Sequence, residues 1–167
     1  MHPLSCCLII ALILGLTPVS SAFSPAGPRE FSAKVIRIVD GDTFEVLDSD
    51  NRVSKIRMNG IDAPEKKQAY GTRSREAISA LCFGKQIRVR VYSKDRNGRL
   101  IADTYLDNRS LSLIMVSEGM AWHFKKYSSD TELAQAELRA RAARRGLWAD
   151  PAPQAPWDYR RMRYPNR

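Results

Sequence analysis

Four short segments of this 167-residue chain combine carboxylates with arginines in a pattern that suits chemistry at a phosphate. They are Asp40-Gly41-Asp42-Thr43, Arg57, Asp62-Ala63-Pro64-Glu65 and Arg99. Phosphodiester cleavage needs cations to offset the charge that builds on phosphorus, and a carboxylate to direct a water molecule at it. Each acidic motif alone is more typical of a hydrogen-bonded turn. Together, and with an arginine before the second motif, they indicate a catalytic site.

The acidic residues favour a metal site built from oxygen ligands. Two carboxylates and a backbone carbonyl suit Ca²⁺, which takes its remaining ligands from water and a phosphate oxygen. Zn²⁺ is disfavoured, because the chain after residue 22 has only His123 and Cys82 as nitrogen and sulfur ligands. We interpret His123 as structural and Cys82, in the apolar run Ala80-Leu81-Cys82-Phe83, as a buried thiol.

The composition indicates one domain that favours polyanions. The chain has 27 Lys and Arg against 18 Asp and Glu, which gives a net charge of +9. A basic domain of this size is suited to nucleic acid or to an anionic surface, although charge alone does not exclude a basic protein with no such partner.

The N-terminal segment resembles an export signal. The apolar run from Cys6 to Leu16 is too short to span a bilayer, and Ser20 and Ala22 give the small-x-small pattern of a cleavage site. Residues 1–22 are therefore predicted to be a removed signal peptide, so the protein is expected to be exported and to meet a membrane only in transit. Because the first five residues contain no Lys or Arg, an uncleaved membrane anchor is the alternative.

The remaining pattern predicts five strands and three helices. After a flexible lead-in at 23–32, alternating β-branched residues predict strands at 33–39, 43–47, 53–58, 86–92 and 100–106. Helical spacing predicts helices at 72–83 and 111–118, and a third that begins with a Ser129–Glu132 capping box and stops at Gly146. This order predicts an α+β fold, a five-stranded OB-fold barrel in a domain at 33–149. A Pro/Arg-rich tail at 150–167 is predicted to be extended and solvated.

The motifs and their order resemble the staphylococcal nuclease family over about residues 33–148. The resemblance implies that Asp42 and Asp62 ligate the metal through their carboxylates, that Thr43 ligates it through its carbonyl, and that Asp40 orients a metal-bound water. It implies further roles for three residues: Glu65 is the proposed general base, Arg57 clamps the phosphate, and Arg99 clamps it and assists the leaving group.

The resemblance also implies an activity. The chain is expected to be a Ca²⁺-dependent endonuclease that hydrolyses DNA and RNA to 3′-phosphorylated products, with single strands preferred and little sequence specificity. A monomer is the expected state. Tyr70, which matches a Tyr-Gly pair of the family, and Tyr127 are candidates for stacking on bases, as are Trp122 and Phe124. Core packing is the alternative for each aromatic residue.

Two other functions fit parts of the sequence. A non-catalytic nucleic-acid-binding OB module would have the same barrel, but such degenerate domains typically lose the acids or arginines. This chain has all five of these residues: Asp42, Asp62, Glu65, Arg57 and Arg99. A polyanion binder held at a surface by an uncleaved N-terminus would use the basic tail.

Overall fold

A computed structural model of the chain describes residues 28–163. The predicted signal peptide at 1–22 lies outside the described residues. Eight strands follow the chain order: β1 (Arg29–Ile38), β2 (Thr43–Asp48), β3 (Val53–Met58), β4 (Ile61–Asp62), β5 (Gln86–Lys94), β6 (Leu100–Leu106), β7 (Arg109–Ser110) and β8 (Trp122–His123).

Five of these strands close into a barrel, as predicted. β1 is long enough to pair with β2 through residues 33–38 and with β5 through residues 29–34, and a bulge between Val35 and Arg37 bends it. β2 pairs with β3, β5 pairs with β6, and a parallel pairing of β3 with β6 completes the ring. The register of that last pairing sets Arg57 beside Ile101.

Alternation along the strands fills the barrel interior. Val35, Phe44, Val46, Ile56 and Val89 are fully buried, and strand residues between them face outward. A side-chain period of two thus separates the core from the solvent face, as the sequence pattern indicates.

Four α-helices and one short 3₁₀ segment pack around the barrel: α1 (Gly71–Cys82), α2 (Leu111–Ser117), α3 (Thr131–Ala142), a 3₁₀ turn (Gly146–Ala149) and α4 (Pro156–Arg163). α1 buries Ser74, Ile78 and Cys82 at a spacing of four residues. The Cys82 thiol is buried as predicted, and burial raises its pKa to about 12. None of the helices among residues 28–163 has the length and apolar composition of a membrane span.

The structure differs from the sequence predictions in three places. β1 begins at Arg29, so residues 29–32 belong to a strand that β5 pairs rather than to a flexible lead-in. α3 is capped by Asp130, whose carboxylate accepts the N–H groups of Glu132 and Leu133, so the predicted Ser129 capping box is wrong. The segment after residue 150 is not wholly extended, because residues 156–163 form α4.

Candidate active site

The first pair of acids lies in the tight turn between β1 and β2. The Asp40 carboxylate accepts the N–H of Asp42 at 3.1 Å and so fixes the turn. Gly41 permits a close approach, because a Cβ there would lie 1.9 Å from the Ser74 hydroxyl oxygen and 2.7 Å from the Ala63 Cβ. The turn is thereby pressed against α1 and against the second acidic segment.

The second segment begins in β4, which pairs with β8. Asp62 is paired with Trp122 in this ladder and is only 2% exposed. Ala63 donates its N–H to the Asp42 carboxylate at 2.6 Å, which joins the two acidic motifs directly. Glu65 follows in a turn held by Gln68, whose side-chain oxygen accepts the Glu65 N–H at 3.0 Å.

Arg57, at the end of β3, is bound to both acids. Its Nε lies 3.2 Å from an Asp42 oxygen, and one terminal nitrogen lies 2.9 Å from an Asp62 oxygen. The other terminal nitrogen donates to the carbonyls of Met58 and Ile61 at 2.8 and 2.7 Å. These four contacts fix the guanidinium plane before any substrate arrives, and such preorganisation is what makes electrostatic catalysis effective.

The acids occupy a setting that disfavours their negative charge. Burial, and then the nearby Asp42 carboxylate, raise the pKa of Asp40 to about 7. Burial also raises the pKa of Asp62, although the hydrogen bond from Arg160 acts in the opposite direction. Buried carboxylates in such proximity are stabilised by an added cation.

Arg99 lies at the start of the neighbouring strand. It immediately precedes β6, and Leu100 pairs with Ile56 in the parallel ladder, so Arg99 and Arg57 belong to adjacent strands at one end of the barrel. Asp95 holds Arg99 through its backbone N–H at 2.9 Å and its Nε at 2.8 Å.

Several known proteins are similar to this chain in sequence. A family model described as "Staphylococcal nuclease homologue" matches residues 55–150, which is more than half of the chain. The chain belongs to the staphylococcal nuclease family. An "uncharacterized endonuclease" of Haemophilus influenzae is 38% identical over 151 residues, covering 90% of this chain and 85% of that protein.

Two further relatives extend the comparison. A "micrococcal nuclease" of Shigella flexneri is 37% identical over 143 residues, covering 79% of this chain and 82% of that protein. A "probable staphylococcal-like nuclease" of Oryza sativa subsp. japonica is 48% identical over 125 residues, covering 75% of this chain. This chain spans only 33% of the rice protein's length.

The predicted metal ligand Thr43 lies in the same tight turn as Asp42. The Thr43 carbonyl oxygen accepts the N–H groups of both Val39 and Asp40, at 3.0 and 3.1 Å. These two hydrogen bonds hold the carbonyl within the β1–β2 turn, and its role as a metal ligand stays a prediction. The Thr43 hydroxyl has a different part in the site, because it donates to the Asp42 carboxylate at 3.0 Å.

The predicted base-stacking residues lie in two different settings. Tyr70 is half-buried against a cluster made by Trp122, Ala140, Leu147, Trp148 and Ala155, and its backbone is left-handed (φ 65°) just before α1. Tyr127 is 68% exposed and contacts the edge of Phe124 at a ring distance of 4.8 Å. Packing therefore involves Tyr70, Trp122 and Phe124, whereas Tyr127 leaves most of its ring available to solvent.

His123 has the burial and contacts of a structural residue. It is 3% exposed, its Nε2 lies 3.1 Å from the Ser128 hydroxyl, and burial lowers its pKa. Its backbone N–H donates to the buried Glu137, which also pairs with Lys125 at 3.0 Å.

The sequence predictions missed one residue of the site, Arg160 of α4. Its terminal nitrogens lie 2.7 Å from an Asp62 oxygen and 2.7 Å from a Glu65 oxygen. Burial opposes its charge, but the hydrogen bonds to these carboxylates outweigh burial and raise the pKa of Arg160. Signals for α4 exist in the sequence: a proline as the first helical residue, Asp158 in the first turn and arginines in the last turn.

Proposed function

We propose that this protein is an exported, Ca²⁺-dependent endonuclease that hydrolyses DNA and RNA to 3′-phosphorylated products. The observation that carries the proposal is the contact of Arg57 with both Asp42 and Asp62. It joins a phosphate-binding group and two cation-binding groups in one buried cluster. The names of the Haemophilus and Shigella relatives support the assignment.

The residues present fit a hard divalent cation. Asp42 and Asp62 are buried carboxylates that both contact the Arg57 guanidinium. Among residues 28–163, no group of three or more His, Cys, Asp or Glu side chains could hold a metal ion, so the two carboxylates need backbone, water and phosphate oxygens to complete a site. The Thr43 carbonyl is the backbone group predicted to contribute one of these oxygens. The ion would supply charge stabilisation at a non-bridging phosphate oxygen.

Side chains of the protein supply the other catalytic roles. Glu65, partly exposed beside Asp62, orients a water for in-line attack on phosphorus and takes its proton. Arg57 places its fixed positive charge against the phosphate, and Arg99, which immediately precedes β6, acts on the same group. The bond from phosphorus to the 5′-oxygen breaks, and that oxygen leaves with the electron pair while the phosphate stays on the 3′-oxygen. Asp40 acts indirectly, by fixing the turn that holds Asp42.

The preferred substrate is a single strand. Arginines at this end of the barrel would contact the phosphate backbone of the nucleic acid and would not read its bases. The exposed ring of Tyr127 offers a stacking surface that tolerates any base. No base-reading contact is required, so we expect both sugars to be accepted and a monomer to suffice for activity.

Digestion of denatured DNA tests the activity. The purified protein should cleave with Ca²⁺ and lose cleavage in excess chelator. Asp62→Asn should need at least about tenfold more Ca²⁺, because one ligating carboxylate is lost. Asp50→Asn is the matched control, since Asp50 is an exposed carboxylate 2.6 Å from Arg52 and remote from the cluster. Protein that binds DNA but never cuts it with Ca²⁺, Mg²⁺ or Mn²⁺ would favour the non-catalytic binding module.

N-terminal sequencing tests export. Protein recovered from outside the cytoplasm should begin at Phe23, because cleavage is expected after Ala22. A mature protein that retains Met1 and remains with membranes would support the uncleaved anchor.

A further inference from the structure

The segment after the 3₁₀ turn lies across the acidic cluster and is fastened at several points. Gln68 donates its side-chain N–H to the Gln154 carbonyl at 2.7 Å, and the Tyr159 hydroxyl donates to the Lys67 carbonyl at 3.2 Å. The Trp157 ring stacks on Phe124, with centroids 5.2 Å apart and planes 3° from parallel. Arg160 is therefore held over the cluster by contacts that are independent of its own charge.

Arg160 forms hydrogen bonds to carboxylate oxygens that the proposed reaction needs. One terminal nitrogen lies 2.7 Å from Oδ2 of Asp62, and the other lies 2.7 Å from Oε1 of Glu65 and 3.3 Å from Oδ1 of Asp62. Since Arg57 also binds Oδ1 of Asp62, both oxygens of this carboxylate are occupied by guanidinium groups. A metal ligand and the proposed general base are thus paired with one side chain.

We propose that α4 is an autoinhibitory latch in which Arg160 competes with the divalent cation for Asp62. The proposal depends on the metal site of the proposed function. Arg160 holds a positive charge 2.7 Å from Oδ2 of Asp62, so it repels a divalent cation at ligand distance from the same oxygen. Binding of the cation is therefore favoured when Arg160 withdraws from Asp62, and in the proposed latch it is release of α4 that withdraws it.

The surroundings of α4 allow such a release. Residues 150–155 join the 3₁₀ turn to α4 without regular secondary structure, so a change at a few backbone positions can move the helix. A cavity of about 250 Å³ lies beneath this segment, lined by Pro64, Tyr70, Trp122, Pro153 and Tyr159 among others. The contact with the body of the protein is thus incompletely packed, and displacing it costs less than displacing a core element.

Calcium titration calorimetry on the full chain tests the latch. Arg160→Gln should bind Ca²⁺ about tenfold more tightly than the unsubstituted protein, if the closed form holds roughly nine-tenths of the molecules. Arg161→Gln is the matched control, because Arg161 belongs to the same helix and pairs with Asp158, away from the acids. Equal or weaker Ca²⁺ affinity in Arg160→Gln would overturn the latch while leaving the proposed nuclease intact.

Tryptophan fluorescence supplies a second readout that needs no substitution at Arg160. Ca²⁺ should change the emission of the unsubstituted protein as Trp157 leaves Phe124, and Trp157→Phe should remove most of that change. Ca²⁺ that binds without altering the emission would show that α4 stays in place and would overturn the proposal. Failure of Ca²⁺ to bind to either the unsubstituted protein or Arg160→Gln would reject the metal site, and the latch with it.

Discussion

Replacing Arg57 by alanine is expected to lower the rate of single-stranded DNA cleavage at saturating Ca²⁺ by about a thousandfold. The guanidinium is held by two carboxylates and two carbonyls, so its position is set before the substrate binds. Charge on the phosphate rises toward the transition state, and a fixed cation stabilises that state more than the ground state. The loss should therefore appear in kcat far more than in KM.

Stability must be separated from catalysis in this experiment. Removing Arg57 leaves Asp42 and Asp62 buried without one partner, which is expected to cost about 3–5 kcal/mol of unfolding free energy. Arg57→Lys keeps the charge but loses the forked geometry, and it should lower kcat by about a hundredfold with a smaller loss of stability. Arg52→Ala is the matched control, because Arg52 pairs with Asp48 on the outside of the same hairpin. Full activity in folded Arg57→Ala would contradict the phosphate clamp.

Glu65→Gln is also expected to have a large effect, a fall in kcat of about 10²- to 10⁴-fold. Glutamine has nearly the same shape, and the backbone N–H of residue 65 would still donate to Gln68. What disappears is the capacity to accept a proton from water. Single-turnover cleavage at several pH values, with Ca²⁺ affinity measured beside it, separates loss of the base from loss of metal.

Glu30→Gln is the control for that substitution. The Glu30 side chain is 41% exposed and lies 3.0 Å from Arg88, whereas the Glu65 side chain is 39% exposed and lies 2.7 Å from Arg160. The two glutamates thus match in exposure and in their arginine partner and differ in their distance from the cluster. If both substitutions reduce cleavage equally, Glu65 is not the base.

The barrel and the acidic cluster could be predicted from the sequence because local signals determine them. Strand alternation and an Asp-Gly-Asp turn predict the β1–β2 hairpin, and the structure places Asp42 where that turn puts it. The family resemblance then assigns roles that spacing alone cannot. The two hydrogen bonds that the Thr43 carbonyl accepts inside the turn could not be read from the motif, because they depend on how the backbone folds there.

The position of Arg160 could not be predicted from local pattern. Its contacts join residues separated by 98 and 95 positions in the chain, and a cluster of arginines after several prolines is more often a solvated end. Aromatic contacts hold this segment in place instead, because Trp157 packs against Phe124 and Trp122 and so keeps α4 on the body of the protein. Long-range packing of this kind leaves no periodic signal in the sequence.

The parallel β3–β6 pairing has a consequence for the order in which the chain acquires its site. Arg57 and Arg99 lie on opposite sides of this seam, and the contact between their strands is distant in sequence. Contacts of that kind are costly in loop-closure entropy and form late. In a chain whose hairpins and helices have formed but whose β3 and β6 have not yet paired, Arg57 and Arg99 are not held near each other to bind a phosphate. The recovery of cleavage during refolding would consequently report the closing of the barrel and not the formation of secondary structure.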